Sequence, residues 1–218
     1  MGTGDVAESF DRVHAGSVRP PNGAGRAPPT PRICSGGVPR ATFSPVATVS
    51  ADLTLHPHGG ESLTLADQVT MFHLVAVVLD PYTYESSWIL ETAGRILEEF
   101  MGADCRTAWI VTADEADATA FLGPWEQRLL TFCDPDRELV KGLGVEQIPA
   151  LVHIGNDLSV IGLANGWNPD EWHPITDNLA TMMSWSKPLY PKPGDPTAFA
   201  GSAADGSTVE GPPVEAAG

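Results

Sequence analysis

Residues Phe72 to Leu79 read Phe-His-Leu-Val-Ala-Val-Val-Leu, a near-continuous apolar run without alternation. A strand of this kind is buried on both faces, and a sheet covered by helices on both sides provides that environment. The run is far shorter than the ~20 apolar residues that cross a bilayer. The following chain must then supply the covering helices. Trp88, Ile89, Leu90, Ala93, Ile96, Leu97 and Phe100 recur at helical spacing and predict a helix over residues 84–101.

The alternation continues. Arg106 to Val111 predicts a second strand. Thr112 with Glu115 forms a capping box, and Gly123-Pro124 closes the helix that it opens. Leu129 to Phe132 predicts a third strand. Asp134-Pro135-Asp136 offers an N-cap, a proline at the first helical position and an acid in the first turn. That helix buries Leu139, Val140 and Leu143 and stops at Gly144. Ala150 to Ile154 and Ser159 to Leu163 form a hairpin across Gly155-Asn156-Asp157. Asn168-Pro169-Asp170-Glu171 opens a last helix with Trp172, Ile175, Leu179 and Met182 on one face. The order β-α-β-α-β-α-β-β-α predicts an α/β fold: a mixed, mainly parallel central sheet with helices on both faces and one antiparallel pair from the hairpin.

Composition divides the chain into three zones. Residues 1–70 hold no Trp, Tyr or Lys but eight Pro and nine Gly, and predict a disordered, low-complexity N-terminal extension. Within it, Leu53 to Thr70 has enough alternation for an edge strand, and His56-Pro57-His58 reads as chance rather than a ligand pair. Met71 stands directly before the apolar run, which makes it one reading of the biological start. Residues 71–190 carry all six Trp and all three Tyr. Trp88, Trp109, Trp125, Trp167 and Trp172 read as core or half-core. Residues 191–218 return to Pro, Gly, Ala and Ser around a lone aromatic, Phe199, and predict a disordered acidic tail.

The formal charge is −16, with lysine only at 141, 187 and 192. No basic stripe can be built, so neither nucleic acid nor an anionic membrane is an expected partner. Three cysteines, Cys34, Cys105 and Cys133, make an odd count without a short spacing. That argues against a secreted disulfide framework and a zinc site, and favours a cytoplasmic protein. His153 and His173 lack convergent ligands, so no metal or other cofactor is expected.

Leu143-Gly144-Val145-Glu146-Gln147-Ile148-Pro149-Ala150, read with the element order and the closing hairpin and helix, resembles the thioredoxin-like superfamily over about Phe72 to Ser184. Thr131-Phe132-Cys133-Asp134-Pro135-Asp136 is similar to an element of its thiol-reductase and peroxiredoxin branch. The resemblance implies that Pro149 is cis. It also implies a CxxC pair at the start of the first helix, where this chain has Tyr84-Glu85-Ser86-Ser87. The peroxiredoxin T-x-x-C spacing is met by Thr83-Tyr84-Glu85-Ser86, with serine in place of the nucleophile. Ala76 to Leu79 supply no buried acid. Dithiol exchange needs two sulfurs, so reductase activity is not expected.

What survives the loss of the cysteines is a recognition edge. The resemblance implies that Ile148 exposes its backbone to an extended peptide, which is strand addition. The expected binding groove comprises Tyr82, Thr83, Tyr84, Glu85, Ser86, Ser87, Ile148 and Pro149, with a protein or peptide as partner. The alternative is a single-thiol oxidoreductase or peroxiredoxin-like enzyme acting through Cys133, whose place near a helix N-terminus would lower its pKa.

Overall fold

The computed structural model describes residues 47–207. The apolar run is the central strand of a six-stranded sheet. This strand, β4 (His73–Leu79), is preceded by three short strands, β1 (Ala47–Thr48), β2 (Thr54–Leu55) and β3 (Leu63–Thr64), and by helix α1 (Leu65–Gln68). It is followed by α2 (Tyr84–Glu99), β5 (Cys105–Val111), α3 (Glu115–Leu122), β6 (Leu130–Cys133) and α4 (Glu138–Gly142). Then come β7 (Gln147–Ile148), β8 (Ala150–Ile154), β9 (Ser159–Asn165), α5 (Pro169–Met183) and β10 (Ser202–Ala203).

The main sheet runs β1-β9-β8-β4-β5-β6. β4, β5 and β6 are parallel, while β8, β9 and β1 add antiparallel pairs. Strand pleating divides β4 between two cores. Val75, Val77 and Leu79 face α2, α3 and α5 with Trp109, Trp167 and Trp172. Leu74, Ala76 and Val78 face α1 and α4 with Leu55, Leu65 and Phe132. That is the mixed α/β architecture expected from the run, with three antiparallel pairs where the hairpin alone predicts one, because β8 also pairs antiparallel with β4 and β1 adds to β9.

The ordered region is wider than residues 71–190. Between 47 and 70, Leu55, Leu65 and Val69 are buried in the second core, where they cover the α4 side of the sheet. β1 covers the β9 edge, and the segment at residues 56–58 runs along the β6 edge, with Cys133 N–H donating to His56 O at 2.8 Å and His58 N–H to Thr131 O at 2.9 Å. Both sheet edges are thereby covered by one N-terminal segment, which removes the exposed strand templates that invite association. A chain starting at Met71 would lack these covers. At the other end, Tyr190 is buried and β10 pairs with β7. The disorder expected for residues 1–46 and 208–218 lies outside the described residues.

Several local signals point to the right element but the wrong residue. Asp114, not Thr112, caps α3 by accepting from Asp117 N–H at 2.9 Å, because Thr112 continues the strand, its N–H bonded to Leu79 O. α4 starts at Glu138 after a left-handed Arg137 (φ 57°), yet Asp134 still caps it from a distance, its carboxylate accepting from Leu139 and Val140 N–H at 3.1 and 2.8 Å. On α5, Trp172, Ile175 and Leu179 are buried but Met182 faces solvent, and Met183 packs inward instead.

Candidate functional site

The end of β4 and the first turn of α2 form one wall of a groove of about 790 Å³. Asp80 sits on its floor, 4% exposed, with one carboxylate oxygen accepting from Tyr82 N–H at 3.0 Å and the other from Arg137 Nη2 at 2.7 Å. Sequence reading placed no acid here because Ala76 to Leu79 are apolar. The acid lies one residue further on, and its ion pair depends on the left-handed turn at Arg137, for which the sequence has no periodic signal.

The residues expected to line the groove divide. Tyr82, Thr83 and Glu85 line it, opposite Glu146, Gln147 and Arg137. Tyr82 donates its phenol hydrogen to Asp117, and that bond pushes its pKa up to about 12. Tyr84 is 80% exposed on the outer side of the helix start, with Ser87 exposed beside it. Ser86 is not on the surface. Its Oγ accepts from Asp80 N–H at 2.9 Å and lies 3.1 Å from the Thr83 hydroxyl. No base is among these partners, so this serine closes a turn and is not an activated nucleophile.

On the opposite side, the Ile148–Pro149 peptide is cis and both side chains are buried. The backbone edge of β7 is not open. The chain's own β10 lies against it, Ser202 opposite Ile148 and Ala203 opposite Gln147. This was invisible in the sequence except for one hint, the single aromatic Phe199 in a tail of small residues. Phe199 exchanges two backbone hydrogen bonds with Trp167, at 2.8 and 2.9 Å, and sets its ring edge-on to Trp88 at 5.6 Å. Trp88 is 56% exposed, which corrects its reading as core or half-core. Trp109, Trp125, Trp167 and Trp172 are buried.

Cys133 is 5% exposed beside a separate cavity of about 300 Å³ lined by Asp114, Glu115, Asp134, Asp136 and Glu138. Burial, then Glu115 and Asp114, push its pKa up to about 11. The expected lowering does not occur, because the N–H groups at the start of α4 are taken by Asp134 and do not act on sulfur. Burial likewise raises Cys105 to about 11. Cys133 pairs in register with Val111 while Cys105 begins that strand. Six residues at about 3.3 Å each separate the two positions, well beyond disulfide reach.

The histidines have structural partners. His56 bonds Ser62 at 2.8 Å, and His58 contacts Glu126 at 3.2 Å and Thr119 at 2.9 Å, so this pair ties the N-terminal segment to α3 rather than belonging to a disordered arm. His173 stacks on Tyr190. Among the described residues no group of three or more His, Cys, Asp or Glu converges as metal ligands, and no helix is long and apolar enough to cross a membrane.

A buried mixed sheet, a first helix rising from its central strand and a cis-proline turn across the groove from that helix's start define a protein with the thioredoxin-like fold. Solved structures that share it include a Cys-to-Ser variant of peroxiredoxin Q from Xylella fastidiosa, at TM-score 0.52 and 17% identity, covering 64% of this chain and 97% of that one. A Cys-to-Ser variant of peroxiredoxin Q from Xanthomonas campestris aligns at TM-score 0.51 and 15% identity, covering 64% and 97%. No family model matches the chain, and no curated protein matches it in sequence.

Proposed function

We propose that this chain is a peptide- or protein-binding module that keeps the thioredoxin-like scaffold and uses its groove for recognition without sulfur chemistry. The observation that carries this reading is the pairing of β7 with an extended segment: the edge beside Pro149 is competent for strand addition, while the facing helix start carries Ser86 and no thiol. Strand addition supplies affinity through backbone hydrogen bonds and specificity through flanking side chains, and neither requires cysteine. Tyr82 lines the groove, and Tyr84 and Trp88 supply exposed aromatic surface on the adjoining first turns of α2, a residue type that concentrates binding energy.

A photo-crosslinking residue at position 84, compared with one at exposed Glu61 on the N-terminal segment, tests the reading. Discrete adducts are expected from 84 and lost on Trp88→Ala with thermal stability unchanged. Equal labelling from both positions would overturn it. Insulin reduction by the purified chain would restore a redox role.

A further inference from the structure

Resting on that reading, we infer that residues 199–204, Phe-Ala-Gly-Ser-Ala-Ala, are an internal ligand of the β7 edge that borders the groove, and that partner peptides carry the same pattern: an aromatic, any residue, glycine, then small residues. The segment makes the contacts that strand addition requires. Phe199 pairs with Trp167 and places its ring on Trp88. Ser202 and Ala203 pair with Ile148 and Gln147, and Ala204 N–H donates to Glu146 O at 2.9 Å. Arg137, already bound to Asp80, donates through Nη1 to Ala204 O at 2.8 Å.

The pattern follows from sterics. Gly201 has φ +85°, and a Cβ there would lie 2.5 Å from Ile148 O, so only glycine fits. Across the pair, Gly166 at φ +71° leaves room for the backbone of Ala200, whose oxygen would lie 2.4 Å from an added Cβ. Ala204 is buried in the second core, where a larger side chain would displace its neighbours. The aromatic position gains the edge-on ring contact.

Displacement is feasible because of how the segment is held. Asp195 is anchored by Thr92 and Arg95, and Pro196 O accepts from the Trp167 indole at 2.9 Å, so the tether stays in place when the following residues leave. From 197 to 203 the residues are exposed or half-buried, and their hold is mostly backbone hydrogen bonding, the profile of a locally opening element. A tethered ligand competes at an effective concentration of about millimolar, so a free peptide meets a β7 edge that is mostly occupied, with the open groove beside it walled by the same segment.

The test adds a labelled peptide of residues 196–207 to the full chain and to full-chain Gly201→Val and Phe199→Ala, each checked for a native near-ultraviolet spectrum. Freeing the β7 edge should tighten binding about tenfold or more in both variants. Equal affinity for native and variant chains, or no binding to a folded variant, would refute the internal ligand. Hydrogen exchange on the native chain gives an independent reading. The Phe199 and Ala204 amides should exchange far faster than that of Leu151, and equal protection would count against displacement. Selection of random displayed peptides on Gly201→Val separates the two readings. Enrichment of aromatic-x-glycine supports the internal ligand, and an unrelated pattern removes it while leaving a binding module. If neither the tail peptide nor any displayed peptide is retained, both readings fall.

Discussion

His153 lies on β8 with no exposed surface, its Nε2 2.9 Å from Nδ1 of His73 and its own Nδ1 without a partner. Burial first, then the neighbouring His73, depress its pKa to about 3, and burial lowers His73 as well, partly offset by Asp157. The folded state therefore refuses a proton that the unfolded chain accepts below about pH 6.5. Stability is full above that value and falls as pH drops from about 6.5 towards 3. Urea unfolding midpoints at about pH 7 and 5 should show this loss, and His153→Leu should flatten it; an unchanged acid slope in the variant would contradict the assignment. Gly94 is a second residue whose role is local. A Cβ on this α2 glycine would lie 2.5 Å from the Trp125 ring, which Arg128 covers at 4.5 Å and Trp109 meets edge-on. Helix propensity favours alanine by about 1 kcal/mol. Overpacking a held ring costs about 1–3 kcal/mol, so Gly94→Ala should lower the unfolding free energy.

At the scale of elements, α4 is five residues long and depends on an acceptor outside it. Asp134 takes two of its leading N–H groups, so Asp134→Ala should cost about 1–3 kcal/mol in urea unfolding and Asp134→Asn less, since the amide keeps one acceptor oxygen. Equal losses would mean that the carboxylate does not act as the cap. The Asp-Pro-Asp signal named the capping residue correctly and the helix start three residues early, because the intervening turn is set by Arg137 reaching back to Asp80. β4, α2, β5 and the β8–β9 hairpin were legible for the opposite reason. Their apolar periodicities are long enough to specify type and extent without tertiary help. β1, β2 and β10 are two residues each, too short for any period to register.

For the whole molecule, both thiols among the described residues are buried, with pKa values pushed well above neutral by that burial. Alkylation followed by site-resolved mass spectrometry should label Cys105 and Cys133 at rates set by opening of the fold, far below those in denatured protein. Fast labelling of Cys133 would revive a single-thiol mechanism. Three residues that line the candidate groove, Tyr82, Thr83 and Glu85, are legible in the sequence because they follow directly on the first buried strand. The rest, Arg137 with Asp80, Glu146, Gln147 and the returning tail, is assembled from distant segments, across 57 positions for the Asp80–Arg137 pair.

The chain's own order of apolar runs and breakers determined the layered α/β fold, the place of its first helix and the lack of a sulfur pair there, since each rests on neighbours in sequence or on residue identity. Tertiary structure alone decided that the β7 edge beside Pro149 is paired from within and that Cys133 meets carboxylates instead of helix N–H groups. Those outcomes depend on backbone pairing and burial between distant segments, and a hydrogen bond from residue 204 to residue 146 leaves no trace in local pattern.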